Sequence, residues 1–442
     1  MFANLFDNHI STLYLDNLWT EGAELDVSAL DIDIKSGDVV STRKLAGTSP
    51  NQLTDNSTGN SGAIKLTAPF IKIEGSLLSH ATSGHTAGDI TMKASGNLDD
   101  ITSGIVQIPA IPIPDITITK AKVEFTNATI KGRDVTVDVS SDASDLYNDD
   151  GENGSIGEAL EEYIGSISLG AGVAISEAKA ELIMSGGSID DRDVFLTAKS
   201  YTDSEALVLT VYIAVAYGHS IPYAEVAIKD GAVINASRDV GLEAYVESEL
   251  SIQASQNLLG TSTAVERYNV TFNGAHSRVT SKATLSSNSS IVAGRDVSFL
   301  ANGTREHNTG SIAAAYGDGT LATALNIAVH YSTMEALIDG TVTAGGDLNA
   351  QAEMITTKND FAASSTVGTG PLAGSVFSGK AGFLLNGMTK AFNKLIKGSG
   401  NIANPTTSTT KLDVSAAINV GISFNTVTVR IGPGAQVDVG GD

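Results

Sequence analysis

A four-residue phrase returns along this chain, each time at the head of an alternating run: Gly132-Arg133-Asp134-Val135, Asp191-Arg192-Asp193-Val194, Ser237-Arg238-Asp239-Val240, Gly294-Arg295-Asp296-Val297 and, more loosely, Gly346-Asp347-Leu348. Gly88-Asp89-Ile90 begins the series. Recurrence of one turn-plus-strand unit marks a structure built by stacking, in which each unit contacts its neighbours. The intervals between the Asp residues are 45, 59, 46, 57 and 51 residues, so one unit is about fifty residues long. A shorter period is visible upstream, where Gly62-Ala63-Ile64-Lys65-Leu66-Thr67-Ala68 is echoed 26 residues later by Gly88-Asp89-Ile90-Thr91-Met92-Lys93-Ala94. The two periods together predict two coils per long unit and about sixteen coils in all, a rod on the order of 75 Å long at about 4.8 Å per coil.

Period-two alternation, the signature of a strand with one buried face, fills each unit. Leu207, Leu209, Val211, Ile213 and Val215 share one face, as do Thr323, Leu325, Ile327 and Val329, and Val414, Ala416, Ile418, Val420, Ile422 and Phe424. The opposite face is small, often Ala, and suits contact with a neighbour. Five-residue strands follow the phrase at 135–139, 194–198, 240–244, 297–301 and 348–352. Asp230-Gly231 and Asp339-Gly340 supply turns that tolerate positive φ. Strand, turn, strand, turn, strand describes a three-sided coil, and the fold class expected is all-β, a parallel β-helix or β-solenoid. The recurring Asp89, Asp134, Asp193, Asp239, Asp296 and Asp347 are read as structural turn residues: a carboxylate that accepts backbone N–H groups closes a corner, and a preceding Gly permits φ > 0. At two-coil spacing these carboxylates stand about 10 Å apart, one Debye length at about 0.1 M salt.

The hydrophobic fraction of 42 % with only 5 % aromatic residues suits a narrow interior of Val, Ile, Leu and Ala. Fifty acidic against 27 basic side chains leave a formal charge of −23, which repels a phosphate backbone and excludes nucleic acid as a partner. There is no cysteine, hence neither a disulfide framework nor a thiolate metal site. Residues 1–8 show no basic stretch followed by a long apolar run, so the sequence reads as lacking a signal peptide and a transmembrane segment. Ala435-Gln436-Val437-Asp438-Val439-Gly440-Gly441-Asp442 stops inside a further copy of the turn phrase, as a fragment of a longer chain would.

Three segments break the repeat. Ile108-Pro109-Ala110-Ile111-Pro112-Ile113-Pro114 removes ladder donors and marks a joint, dividing a less regular part, 1–120, from the long units of 121–442. An acidic loop insertion at 140–165 carries Asp145, Asp149, Asp150 and Glu152, oxygen ligands of the kind Ca²⁺ takes, although neither EF-hand spacing nor the glycine-rich nonapeptide of calcium-binding solenoids is present. A solvated acidic loop is the preferred reading, with Ca²⁺ as the alternative. At 371–398, Ala381, Leu384, Leu385, Met388, Phe392 and Leu395 recur at three and four, with Lys380, Lys390, Lys394 and Lys397 mostly elsewhere, a short amphipathic helical insertion that covers the solenoid or meets a membrane surface or partner groove.

No catalytic constellation is evident. His9, His80, His85, His219, His276, His307 and His330 form no HExxH or other i, i+4 pair, and the GxSxG, GxxxxGK[ST] and GxGxxG motifs are missing. Asp190, Asp191 and Asp193 are the one acidic cluster that invites comparison with polysaccharide-cleaving β-helices, whose paired carboxylates would lose cleavage on Asp191→Asn. The same positions in sister copies form a corner, so a turn explains them without a reaction. The sole tryptophan, Trp19, offers little for a sugar platform.

Ala87-Gly88-Asp89-Ile90-Thr91-Met92-Lys93-Ala94, Ala293-Gly294-Arg295-Asp296-Val297-Ser298-Phe299-Leu300-Ala301 and Ala344-Gly345-Gly346-Asp347-Leu348-Asn349-Ala350 resemble the repeats of large filamentous bacterial adhesins, haemagglutinin-like and leukotoxin-like surface proteins. The resemblance covers residues 60–442 discontinuously. It implies a right-handed parallel β-helix, export to the cell surface, and a stalk or adhesive fibre whose partners are other cells, surface glycans or proteins, or further copies of itself, with no cofactor and no enzymatic activity. The units here are longer than that family's single coil, and its N-terminal secretion domain is missing. The readings that compete are a polysaccharide-cleaving enzyme on the same scaffold and a self-assembling extracellular filament subunit.

Overall fold

The computed structural model describes residues 12–45, 58–97, 115–143, 169–210, 213–256, 268–315, 321–367 and 414–441. Among these residues twenty-five strands form three sheets. Sheet I holds β1 (Thr12–Tyr14), β3 (Asp31–Ile34), β6 (Phe70–Ile73), β9 (Asp115–Thr126), β12 (Leu169–Ser185), β15 (Ile213–Lys229), β18 (Tyr268–Leu285), β21 (Leu321–Ile338) and β24 (Val414–Ile431). Sheet II holds β4 (Val39–Ser41), β7 (Ser76–Leu78), β10 (Thr129–Lys131), β13 (Ser188–Asp191), β16 (Val233–Ala236), β19 (Ser290–Ala293), β22 (Thr341–Ala344) and β25 (Gln436–Val439). Sheet III holds β2 (Leu25–Ser28), β5 (Ile64–Thr67), β8 (Ile90–Asn97), β11 (Asp134–Ala143), β14 (Asp193–Thr210), β17 (Val240–Gln256), β20 (Val297–Ala315) and β23 (Leu348–Val367). Every pairing is parallel, and each strand pairs with its counterparts one turn of the chain before and after, so the molecule is an all-β parallel solenoid.

One long unit is one coil, not two. Ile64 pairs with Ile90 and Ile90 with Val135, so the short and the long period are both single turns of different perimeter. The perimeter grows because strands of sheets I and III lengthen from 4 residues in β3 and β5 to 18 in β21 and 20 in β23, while β22 of sheet II keeps 4. Nine strands in sheet I give eight intervals, a stack about 38 Å tall at about 4.8 Å per interval, half the length expected from sixteen coils. The five-residue strands expected after the phrase run on through polar residues, to Ala315 in β20, because those residues find partners inside the stack.

Two interiors result. Near sheet II the coil is triangular and filled by columns of one residue per turn: Val40, Leu77, Ile130, Ile189, Ile234, Ile291 and Val342 on sheet II, and Leu66, Met92, Val137, Leu196, Leu242 and Phe299 on sheet III. Each such fully buried side chain contributes about 1.5–3 kcal/mol. Beyond the triangle, sheets I and III face each other as a two-layer wing whose second core is Ala174, Ala206, Val208, Ala214, Ala216, Leu250, Ile252, Ala254, Ala275 and Ala328. The buried face of the wing is thus the small one. Ala322, Ala324 and Ala328 are sealed, whereas Leu325, Ile327 and Val329 line the outside, the reverse of placing the larger residues inside. Two sheets that approach closely leave room only for small inward side chains: a Cβ on Gly218 would stand 2.2 Å from Ile252 Cδ1. The run from Leu207 to Val215 is likewise not one strand, since β14 ends at Thr210 and β15 begins at Ile213.

Connections are distributed unevenly. From β8 onward those from sheet I to II and from II to III are short, whereas 98–114, 144–168, 257–267, 316–320 and 368–413 each join the end of a sheet III strand to the start of the next sheet I strand; nearer the start of the chain, 42–63 and 79–89 join sheet II to sheet III. The proline run, the helical insertion and residues 144–165 of the acidic loop insertion lie in these segments, outside the described residues, whereas 140–143, expected at the start of that loop, continue strand β11 and pair with β14. Among the described residues no helix is long and apolar enough to cross a membrane.

Candidate functional site

The recurring corner forms a ladder of ion pairs between sheets II and III. Asp134 lies beside Asp193 in register, so the carboxylates stand one strand spacing apart rather than 10 Å. Each Arg reaches back one coil. Arg133 holds Asp89 with Nε at 2.7 Å and Nη2 at 2.5 Å, Arg192 holds Asp134 with Nε at 2.8 Å and a second bond from Nη2, and Arg295 does the same to Asp239 with Nε at 2.6 Å. Arg238 is looser, 3.4 Å from Asp193. The carboxylates also accept from the backbone of the following coil: Asp193 from Asp239 N, Asp239 from Asp296 N, and Asp296 from Asp347 N at 2.9 Å. The Arg295 guanidinium holds the Asp239 carboxyl below its ordinary range. Planar fork-to-carboxylate pairing fixes geometry as well as charge, so the ladder sets coil-on-coil register.

The glycine of the phrase serves close approach and not a left-handed backbone. Among the described residues the positive-φ glycines are 22, 37, 84, 186, 187 and 231, none of them in the phrase. A Cβ on Gly294 would lie 2.2 Å from Ser237 O, and one on Gly345 2.2 Å from Gly294 O. Asp230-Gly231 does take positive φ, at 56° and 80°, whereas Asp339-Gly340 does not.

The acidic trio at 190–193 is divided among three tasks. Asp190 Oδ1 accepts from Asn235 Nδ2 at 2.7 Å, Asp193 belongs to the ladder, and Asp191 turns into the corner, where it accepts from Gly132 N. Although Asp191 as a residue is only half-buried, its Oδ2 is sealed and has no partner. Burial raises its carboxyl to about 8, against the opposing pull of the Gly132 N–H. Asp145, Asp149, Asp150 and Glu152 lie outside the described residues. No group of His, Asp and Glu able to hold a metal ion occurs among the described residues.

Register brings together histidines that sequence spacing scattered. On the outer face of sheet I, His219 and His276 stack at 5.0 Å with their Nδ1 atoms 3.2 Å apart, flanked by Tyr217 at 6.4 Å and Tyr331 at 6.0 Å, with Phe424 stacked on Tyr331 at 5.1 Å. Burial and the neighbouring His219 lower His276 below the ordinary imidazole range. On one side of this strip the face is apolar: Val215, Phe272, Leu325 and Ile418 form one column, and Val173, Tyr217, Ile327 and Val420 lie in the next, with Gly274 between Tyr217 and Ile327, while Glu177, 3.5 Å from His219 Nε2, and Arg278 beside Tyr331 are charged neighbours. Adjacent stacked rings occupy one another's faces and present mainly edges, which suits packing against protein better than stacking on a sugar ring.

Inside the stack, where triangle meets wing, runs a belt of hydroxyls. Thr119 Oγ1 lies 2.8 Å from Ser141 Oγ, Thr202 Oγ1 2.8 Å from Ser220 Oγ, and Ser220 Oγ 2.7 Å from Ser248 Oγ. The belt ends on His307 and His330, whose rings lie 4.2 Å apart, beside Arg305. Beyond it, Asn273, Asn326 and Asn419 form an amide ladder with 2.8 Å rungs. The signal for these groupings is present in the sequence, since His219 and His276 are 57 residues apart, the interval that also separates Asp239 from Asp296. It becomes legible only when one interval is known to be one coil.

No protein-family model, curated protein or solved structure matches the chain.

Proposed function

We propose that this chain is a structural and adhesive segment of an exported bacterial surface protein, a solenoid whose work is reach and display in cell attachment. The observation that carries the reading is the division of labour around the coil: three parallel sheets stack in register, while from β8 onward the long connections leave from one edge, where sheet III hands over to sheet I. A rigid scaffold with its variable segments at one edge is the arrangement in which recognition changes without disturbing the core. The resemblance of the corner phrases to filamentous adhesins supports the same reading, with an extracellular location and cells, glycans or surface proteins as partners.

The test is attachment. Beads coated with the chain are expected to adhere to host-cell monolayers, and replacing 144–168 and 368–413 by short Gly-Ser linkers is expected to abolish adherence while the β-sheet circular dichroism persists. Adherence no greater than that of albumin-coated beads would refute the proposal. Release of reducing ends from a polysaccharide panel, lost on Asp191→Asn, would favour a polysaccharide-cleaving enzyme instead.

A second reading, a self-assembling filament subunit, is favoured by the apolar outer face of sheet I. Across β12 to β24 this face measures on the order of 500 Å², so a face-to-face pair buries about 1,000 Å², the lower bound of a specific interface. Sedimentation velocity of the native chain and of an Ile418→Glu/Phe424→Glu variant separates the cases: concentration-dependent assembly lost in the variant supports association, and a monomer at all concentrations removes it.

A further inference from the structure

Arg305 lies on the inward side of β20 and is 2 % exposed. Its guanidinium donates only to neutral oxygens: Nη1 to Ser332 Oγ at 3.2 Å, to Ser423 Oγ at 3.4 Å and to Asn425 Oδ1 at 3.4 Å, and Nη2 to Thr356 Oγ1 at 3.2 Å. Among the described residues no carboxylate pairs with it. Its neighbour Glu306 points to the opposite face and pairs there with Lys358 at 3.7 Å. A guanidinium does not give up its proton inside a protein, so among the described residues this is a buried cation without a counter-charge.

The side chains beside it face the same deficit. Arg305 Nε has no partner, and neither do His307 Nδ1 and His330 Nε2, although both imidazoles are fully buried. Ser248 Oγ lies 3.2 Å from His307 Nε2, and Ser277 Oγ lies 3.0 Å from His330 Nδ1. With those hydroxyls donating, each ring carries its proton on the nitrogen that lacks a partner. Burial and the Arg305 charge hold both imidazoles neutral, His330 down to about 3. In that tautomer one layer contains three unpaired N–H groups and a net positive charge. Water supplies acceptors but no charge, whereas an anion supplies both.

We propose that this layer binds a small inorganic anion, chloride in physiological media, held by the Arg305 guanidinium and the free N–H groups of His307 and His330. The anion neutralises the guanidinium and fastens sheet III to sheet I at the point where the hydroxyl belt ends.

The test measures the melting temperature of the full 442-residue chain while chloride replaces gluconate at constant ionic strength. A saturable rise is expected in the native chain and none in Arg305→Met, which removes the charge and keeps an apolar stem of similar length. A melting temperature indifferent to chloride, or a response retained in Arg305→Met, would overturn the proposal. Should that variant fail to fold, anomalous scattering from native crystals soaked in sodium bromide decides: a peak beside Arg305 is expected, and its absence there refutes the site.

Discussion

The guanidinium of Arg192 grips the carboxylate of Asp134 one coil below, 58 residues away in sequence and one strand away in space, with Nε 2.8 Å from Oδ1. Arg133 and Asp89, and Arg295 and Asp239, repeat the relationship. Because both partners retain exposure to solvent, each rung is weak taken alone. A double-mutant cycle of Arg192→Ala and Asp134→Ala, followed by denaturant unfolding, is expected to show a small favourable coupling that shrinks in 1 M salt. Strict additivity would show that the rung holds nothing.

Asp191 sets a pH dependence of known sign. Its folded-state carboxyl, raised to about 8 from an ordinary 3.8, retains its proton where the unfolded chain has released it. Its contribution is therefore full below pH 4 and is lost as pH rises through 8, at up to about 1.4 kcal/mol per pH unit. Asp191→Asn removes the titration, so its melting temperature relative to the native chain is expected to climb between pH 4 and pH 8. A difference constant over that range would contradict the buried acid.

The two kinds of glycine respond differently to asparagine, which tolerates positive φ but occupies space. Gly231, at φ 80° with its nearest contact at 3.9 Å, is expected to accept Asn at a cost below about 1 kcal/mol. Gly294 has Ser237 O only 2.2 Å from any added Cβ, and Gly294→Asn is expected to cost about 1–3 kcal/mol. Equal costs in equilibrium unfolding would show that close approach is not what the corner requires.

The wing makes a prediction that inverts intuition about size. Ala324 faces inward and is sealed, while Leu325 faces outward. Ala324→Leu is expected to destabilise by about 1–3 kcal/mol through overpacking, and Leu325→Ser by less than about 1 kcal/mol. Thermal unfolding of the two variants gives the order directly, and the reverse order would place the larger face inside.

The recurrent phrase and its alternating runs determined the architecture, because a unit that repeats in sequence stacks in register once the backbone ladders form. Composition determined the filling of the triangle, with Val40, Ile130 and Ile234 among its columns. What the chain could not disclose alone was the length of one turn. The 26-residue echo at Ile64 and Ile90 is one small coil and not half of a large one, a distinction that depends on how far sheets I and III extend before meeting. From that single quantity follow the halved height, the Arg192–Asp134 rung, the inward turn of the alanine face, and the meeting of His307 with His330. Alternation states that a strand has two faces. Only the approach of the opposite sheet decides which face fits inside.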